Sequence, residues 1–147
     1  MSTKLILTET EANKIAKYLT GFLDSISGSQ TVWMALGSND AVADKSFVEI
    51  TPNAANNYAR AMIKSDAAYP DVLSVNGRTV TNHEQIVFNK VLTSAYTAKS
   101  IALFRQETGG APYAYGTLEA DVPCSVGSLP MFERNAFELT IPDGTES

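Results

Sequence analysis

The sequence predicts a mainly β domain, an antiparallel β-sandwich or jelly-roll-like sheet pair with an N-terminal amphipathic α-helix. Three observations lead there. The hydrophobic period changes from helical to two after Gly28. Short alternating runs then recur between turn signals at 37–40, at Asn76-Gly77 and at Gly109-Gly110. The 147 residues, 44% apolar and 18% charged, suffice to bury a core without disulfides or metal and lie far from a disordered composition.

The helix has the clearest local signature. Thr8-Glu9-Thr10-Glu11 reads as a capping box, in which the Thr8 hydroxyl accepts from the Glu11 amide and the Glu11 carboxylate reaches back. Glu9 and Glu11 also suit the positive end of the helix dipole. Ala12, Ile15, Ala16, Leu19, Phe22, Leu23 and Ile26 recur at helical spacing, with Asn13, Lys14, Lys17 and Asp24 off that stripe. Gly28 supplies the stop. The expected helix spans 9–27. Its stripe either covers one end of the sheet or docks on a neighbouring subunit, which makes Leu19 and Phe22 interface candidates.

Strands are expected at 31–37, 47–50, 57–63, 72–75, 85–88, 100–106, 113–119 and 136–141. The segment 107–112 reads as a hairpin loop. No repeat, low-complexity tail or linker interrupts the pattern. One domain over 1–147 is therefore expected, with the β-sandwich at 31–141.

Composition excludes several function classes. A net charge of −5 and a pI near 4.8 argue against a nucleic-acid binder, which needs a positive face. No apolar run reaches the ~20 residues of a bilayer span, so no membrane partner is expected. Met1 to Lys4 reads as a lead into a polar helix rather than a signal peptide. Cys124 is the single cysteine, so no intrachain disulfide can form. Synthesis in the cytoplasm is the expectation.

No catalytic, cofactor or metal site is expected. His83 is the single histidine, where a metal site usually needs several fitting donors. Cys124 lies far from it in sequence and lacks a nucleophile's signature. Asn39, Asp40 and Asp44 put oxygen donors in one loop, but their spacing does not match a twelve-residue calcium loop. No phosphate loop or dinucleotide fingerprint occurs.

Two stretches stand out: Tyr58-Ala59-Arg60, and 109–118 with its Gly109-Gly110 pair. Arg60 lies between small Ala59 and Ala61. Its planar fork can lock a carboxylate across the sheet or across a subunit boundary, with Glu49, Glu119 and Glu138 as candidates. Tyr113 and Tyr115 are expected on one strand face. There they fill a seam between subunits or form a sugar platform.

The order of these pieces resembles the small bacteriophage tail-fibre-type virion proteins. The matching elements are Ala35-Leu36-Gly37, Glu49, Tyr58-Ala59-Arg60, Asn82 with Ile86 and Phe88, the alternating strand from Ile101 to Phe104, Gly109-Gly110, and Gly116 with Leu118. The likeness runs from Trp33 to Ile141. It departs where a Gly-rich approach to the Tyr-Ala-Arg strand is replaced by 52–57, and where 64–77 lengthens a short connection. The resemblance implies structural duty in a virion: an appendage, collar, tail-fibre or capsid decoration component. It would assemble as a homo-oligomer, a trimer, on other virion proteins. The alternative is a carbohydrate-binding tip of the same fold that meets a host surface glycan.

Overall fold

The computed structural model describes residues 3–13, 31–41, 46–65 and 71–140. Ten strands carry these residues: β1 (Thr3–Leu7), β2 (Val32–Gly37), β3 (Ala61–Lys64), β4 (Leu73–Asn76), β5 (Thr79–Asn82), β6 (Ile86–Val87), β7 (Tyr96–Phe104), β8 (Ala114–Cys124), β9 (Met131–Phe132) and β10 (Phe137–Thr140).

The chain is mainly β, and its main sheet is nearly closed. Eight strands follow the order β3-β2-β7-β8-β1-β10-β5-β4, while β6 and β9 form a separate two-stranded ribbon. The edge strands β3 and β4 meet through a bridge between Lys64 and Asp71, beside the Val72 amide donating to the Ile63 carbonyl at 3.0 Å. Where the alternation suggested two stacked sheets, the strands curl into one. Register decides this, and register is set by pairing between distant segments.

Alternation explains the core. Met34 and Leu36 of β2, Ile101 and Leu103 of β7, and Ala114 and Leu118 of β8 face inward with Leu5, Ile63, Phe137 and Leu139. On the opposite face Ala35, Ala102, Phe104 and Tyr115 pack with Ala41, against Trp33 and Phe47. Where β2, the end of β7 and the first half of β8 lie side by side the layer is thus buried on both faces, which accounts for the near-continuous apolar runs of β2 and of β7 over Ile101 to Phe104.

The first strand departs from expectation. Residues 1–4 were to lead into a polar helix, yet Thr3–Leu7 forms β1, with Thr3 and Leu5 buried and Lys4 and Ile6 exposed. It lies parallel to β10, pairing Lys4 with Glu138, and antiparallel to β8, pairing Ile6 with Tyr115. Five residues beside a strong helix cap give too short an alternation to stand out. The strands β5 and β9 were not expected either. The segment 47–50 contributes an isolated bridge between Gly37 and Glu49 instead of a strand.

Residues 9–13 are helical, as the cap implies. The Thr8 hydroxyl accepts from the Glu11 amide at 3.3 Å. The other half of the box is absent, because the buried Glu11 carboxylate pairs with Arg105 at 2.8 Å. Ala12, the first member of the stripe, is exposed. The remainder of the expected 9–27 helix, with Leu19 and Phe22, lies outside the described residues.

Asn82 ties β5 to the ribbon. Its fully buried side chain donates to the carbonyls of Glu84 at 2.9 Å and Glu133 at 2.7 Å, and accepts from the Ala136 amide at 2.9 Å. A buried amide satisfied on both ends fixes one geometry.

Gly116 shows how tightly β1 is laid on β8. A Cβ there would stand 2.4 Å from the Lys4 carbonyl oxygen and 2.9 Å from Leu5 Cδ2. Backbone would have to move to admit it, at a cost of about 1–3 kcal/mol. Gly116→Ala is therefore expected to lower Tm. An unchanged Tm in a thermal melt would show that β1 does not press on β8 here.

Candidate functional site

The approach to Arg60 is built by asparagines. Asn53 Oδ1 accepts from the Asn56 amide at 2.8 Å, and Asn56 Oδ1 accepts from the amides of Asn53 at 3.1 Å and Tyr58 at 2.9 Å. Asn57 then adopts φ +57°, the left-handed region that asparagine tolerates better than most residues. This is how residues 52–57 do without glycine. The side chain of Asn57 donates to the Lys90 carbonyl at 3.0 Å.

Tyr58 points into the core, stacked on Phe88 at 6.5 Å and edge-on to Tyr96 at 5.9 Å. Its hydroxyl donates to Glu49 Oε2 at 2.7 Å and accepts from the Leu36 amide at 2.9 Å. Burial, reinforced by the bond to Glu49, pushes the Tyr58 phenol well above the ordinary tyrosine range.

Arg60 sits just before β3 rather than within a strand. It takes Glu49 with both prongs: Nε donates to Oε2 and Nη2 to Oε1, each at 2.9 Å. Nη1 donates to the carbonyls of Gln106 at 2.8 Å and Gly109 at 3.0 Å. The guanidinium lies 3.6 Å from the centre of the Phe104 ring. The Arg60 side chain is 4% exposed and that of Glu49 24%. Four of the five guanidinium N–H groups are matched and its flat face lies against a ring, which an ammonium cannot reproduce. Gly109 has φ +68°, a conformation that lets its carbonyl turn toward Arg60.

Of the three carboxylates considered for Arg60, the structure brings Glu49. Glu138 pairs with Lys4 across β1 and β10, and Glu119 is exposed on β8. The partnership with the loop carbonyls had no sequence signal, because backbone acceptors carry no residue signature. A cleft of about 260 Å³ opens beside the pair, lined by Glu49, Pro52, Ala59, Thr108 and Gly109 among others.

Tyr113 and Tyr115 do not share one face. Tyr113 precedes β8 and packs against the main core, with Arg105 4.2 Å from its ring centre. Burial pushes its phenol up to about 12. Tyr115 is buried in the second cluster, on the opposite side of the sheet. A platform made of both rings is therefore not formed.

The remaining sequence candidates are dispersed. His83 is exposed, with its ring 3.1 Å from the Asp71 carbonyl. Cys124 is buried, and burial pushes its thiol up, opposite to what a nucleophile needs. Asn39 spends its amide on the loop itself, donating to the Ser46 carbonyl at 2.7 Å and accepting from the Val48 amide at 3.0 Å. Asp44 lies outside the described residues. Among the described residues no three His, Cys, Asp or Glu side chains gather as a metal site. No described helix is long and apolar enough to cross a membrane.

A nearly closed sheet whose best-satisfied charges lock loops together defines a structural β module. The family model described as Podophage GP4 fiber I protein gp80 matches residues 7–140, and the chain belongs to that family. It is thus a phage fibre-type structural protein, a virion component. No curated protein matches it.

Two predictions follow from this geometry. Removing Arg60 strands the Glu49 carboxylate and releases the 106–109 loop, so Arg60→Ala should cost about 3–5 kcal/mol. Arg78→Ala, at the exposed β4–β5 turn, should cost ~0–1 kcal/mol. Arg60→Lys should recover only part of the loss. Chemical denaturation of the three variants checks this, and equal small effects at both positions would refute it.

The second concerns alkaline pH. Folded Tyr113 keeps its proton to about 12, while an unfolded tyrosine loses it near ~10. Between those values the folded chain binds more protons, so stability falls as pH rises. The contribution is whole below about 10 and is lost as pH passes through the folded value. Unfolding free energy measured at stepped pH should decline above about 10, less steeply in Tyr113→Phe.

Proposed function

We propose that the chain is a fibre-type appendage component that works by assembly: three copies form a closed homo-oligomer that attaches to other virion proteins. The observation that carries this is the fibre-family match over 7–140. The fold supports it. Arg60 spends four hydrogen bonds on holding separate pieces of chain in place. The mechanism is geometric: a rigid module offers fixed surfaces, and closed symmetry covers those that would otherwise associate without limit. Collar and capsid decoration duty would use the same surfaces.

A second reading is a carbohydrate-binding tip that meets a host surface glycan. What favours it is the cleft beside Glu49, whose partly exposed carboxylate can accept from sugar hydroxyls next to Pro52 and Ala59. It does not rest on Tyr113 and Tyr115.

Light scattering of the purified protein at micromolar concentration should report three copies. A strict monomer would overturn the assembly reading. Glycan-array binding by that monomer would favour the second.

A further inference from the structure

Asn76 closes β4 and Gly77 opens the turn to β5, the sole asparagine–glycine step in the sequence. The register pairs Asn76 with Thr79, so Gly77 and Arg78 alone make the turn. Gly77 has φ +65° and Arg78 lies outside that region, the pattern of a type II′ turn with glycine first. Asn76 and both turn residues are exposed.

The surroundings set Asn76 apart from the other asparagines. Among the described residues its side chain has no hydrogen-bond partner, whereas every other described asparagine but Asn13 has its side chain tied to backbone or to a neighbouring side chain. Asn13 is followed by a lysine, and a side chain on the following residue hinders approach to its nitrogen. The Gly77 amide has no acceptor among the described residues. A Cβ on Gly77 would meet nothing within 4 Å, so open space surrounds this part of the turn.

The strand that ends here is also the least secured of the main sheet. It is the last in the order, with β5 as its neighbour along its length. Among the described residues its other edge is reached from β3 only just before the strand begins, at Asp71 and Val72. The rung at Asn76 and Thr79 therefore closes a hairpin held from one side, and such ends open before the core does.

We infer that Asn76 is a site of spontaneous deamidation and that the change unfastens β4 from the sheet. With the last rung open, the Gly77 nitrogen attacks Asn76 Cγ. A bond forms between them, the bond from Cγ to Nδ2 breaks, and the side-chain nitrogen leaves as ammonia with the amide proton. Water then opens the cyclic imide at one of its two carbonyls. One opening gives aspartate, and the other gives isoaspartate, in which the main chain runs through the former side chain. One water is consumed and one ammonia released, which takes up the proton of the new carboxylic acid; nothing is oxidised or reduced. The isoaspartyl form adds a backbone carbon at a turn whose two-residue length fixes the register of β4 on β5. The chains of a finished virion are not replaced, so the change accumulates with the age of the particle.

The test is peptide mass spectrometry on folded protein held in mildly alkaline buffer. The tryptic peptide 65–78 contains Asn76 and no other asparagine or glutamine, so a mass shift in it is assigned at once. It should convert before any other peptide and split into aspartyl and isoaspartyl forms. Asn76→Gln should abolish the conversion, because its ring closure is far slower. Amide exchange across β4 and β5 should rise in the isoaspartyl protein and stay low in Asn76→Asp, which carries the charge without the extra backbone carbon. A folded chain that stays intact while the same chain converts in denaturant would overturn the site, showing that the turn protects it. Earlier conversion of a different asparagine would overturn it too. Conversion with unaltered exchange would overturn the unfastening of β4 and leave the modification standing.

Discussion

Arg60 joins three pieces of chain that are made far apart: the residues after β2, the entry to β3, and the loop between β7 and β8. The last two do not touch Glu49 in sequence, yet a single guanidinium fixes the distance between all of them. The arrangement works because its members answer one another. Glu49 receives both prongs and the Tyr58 hydroxyl, and Tyr58 in turn takes the Leu36 amide from β2. A buried ion pair contributes little net stability when its desolvation is counted, but breaking one is costly. The cluster therefore acts as a constraint on shape. The orientation of the 106–110 loop and the mouth of the cleft beside it follow from that constraint.

Asn82 plays the corresponding part where β5 meets the ribbon. One side-chain amide holds the carbonyls of Glu84 and Glu133 together, and so sets where the ribbon begins relative to β5 and β10. The two devices differ in chemistry and share a logic. Short strands and long connections leave many backbone groups needing partners, and a polar side chain with several matched bonds serves more of them than an apolar contact could.

Much of this was legible in sequence, and the gaps have physical causes. The strand identity of 32–37, 101–104 and 137–140 followed from alternation and β-branched or aromatic content. Glu49 was among the carboxylates open to Arg60, because small neighbours leave a long side chain room to reach. Which carboxylate it takes depends on the bridge between Gly37 and Glu49, a long-range pairing without a local signature. Tyr115 was read as a surface ring because period-two alternation says which residues share a face and not which face is wet. Around Tyr115, where β2, β7 and the first half of β8 adjoin, both faces are covered. The Thr8 cap was visible, but the reach of Glu11 to Arg105 was not, since a local motif cannot announce a distant competitor. The strand β1 is the largest omission. Its place in the middle of the sheet comes from its partners.

Those partners have a consequence for how the molecule is made. The side chains of Lys4 and Glu138, neighbours on β1 and β10, are 134 positions apart in the chain. As synthesis proceeds, β1 emerges first and its parallel partner last. The sheet therefore cannot shut until β10 has been made, and until then β1 has β8 on one side and an open edge on the other. Contacts of such long separation slow folding and expose edges to neighbouring chains. A virion component built this way must finish its own ladder before its open edge meets another chain.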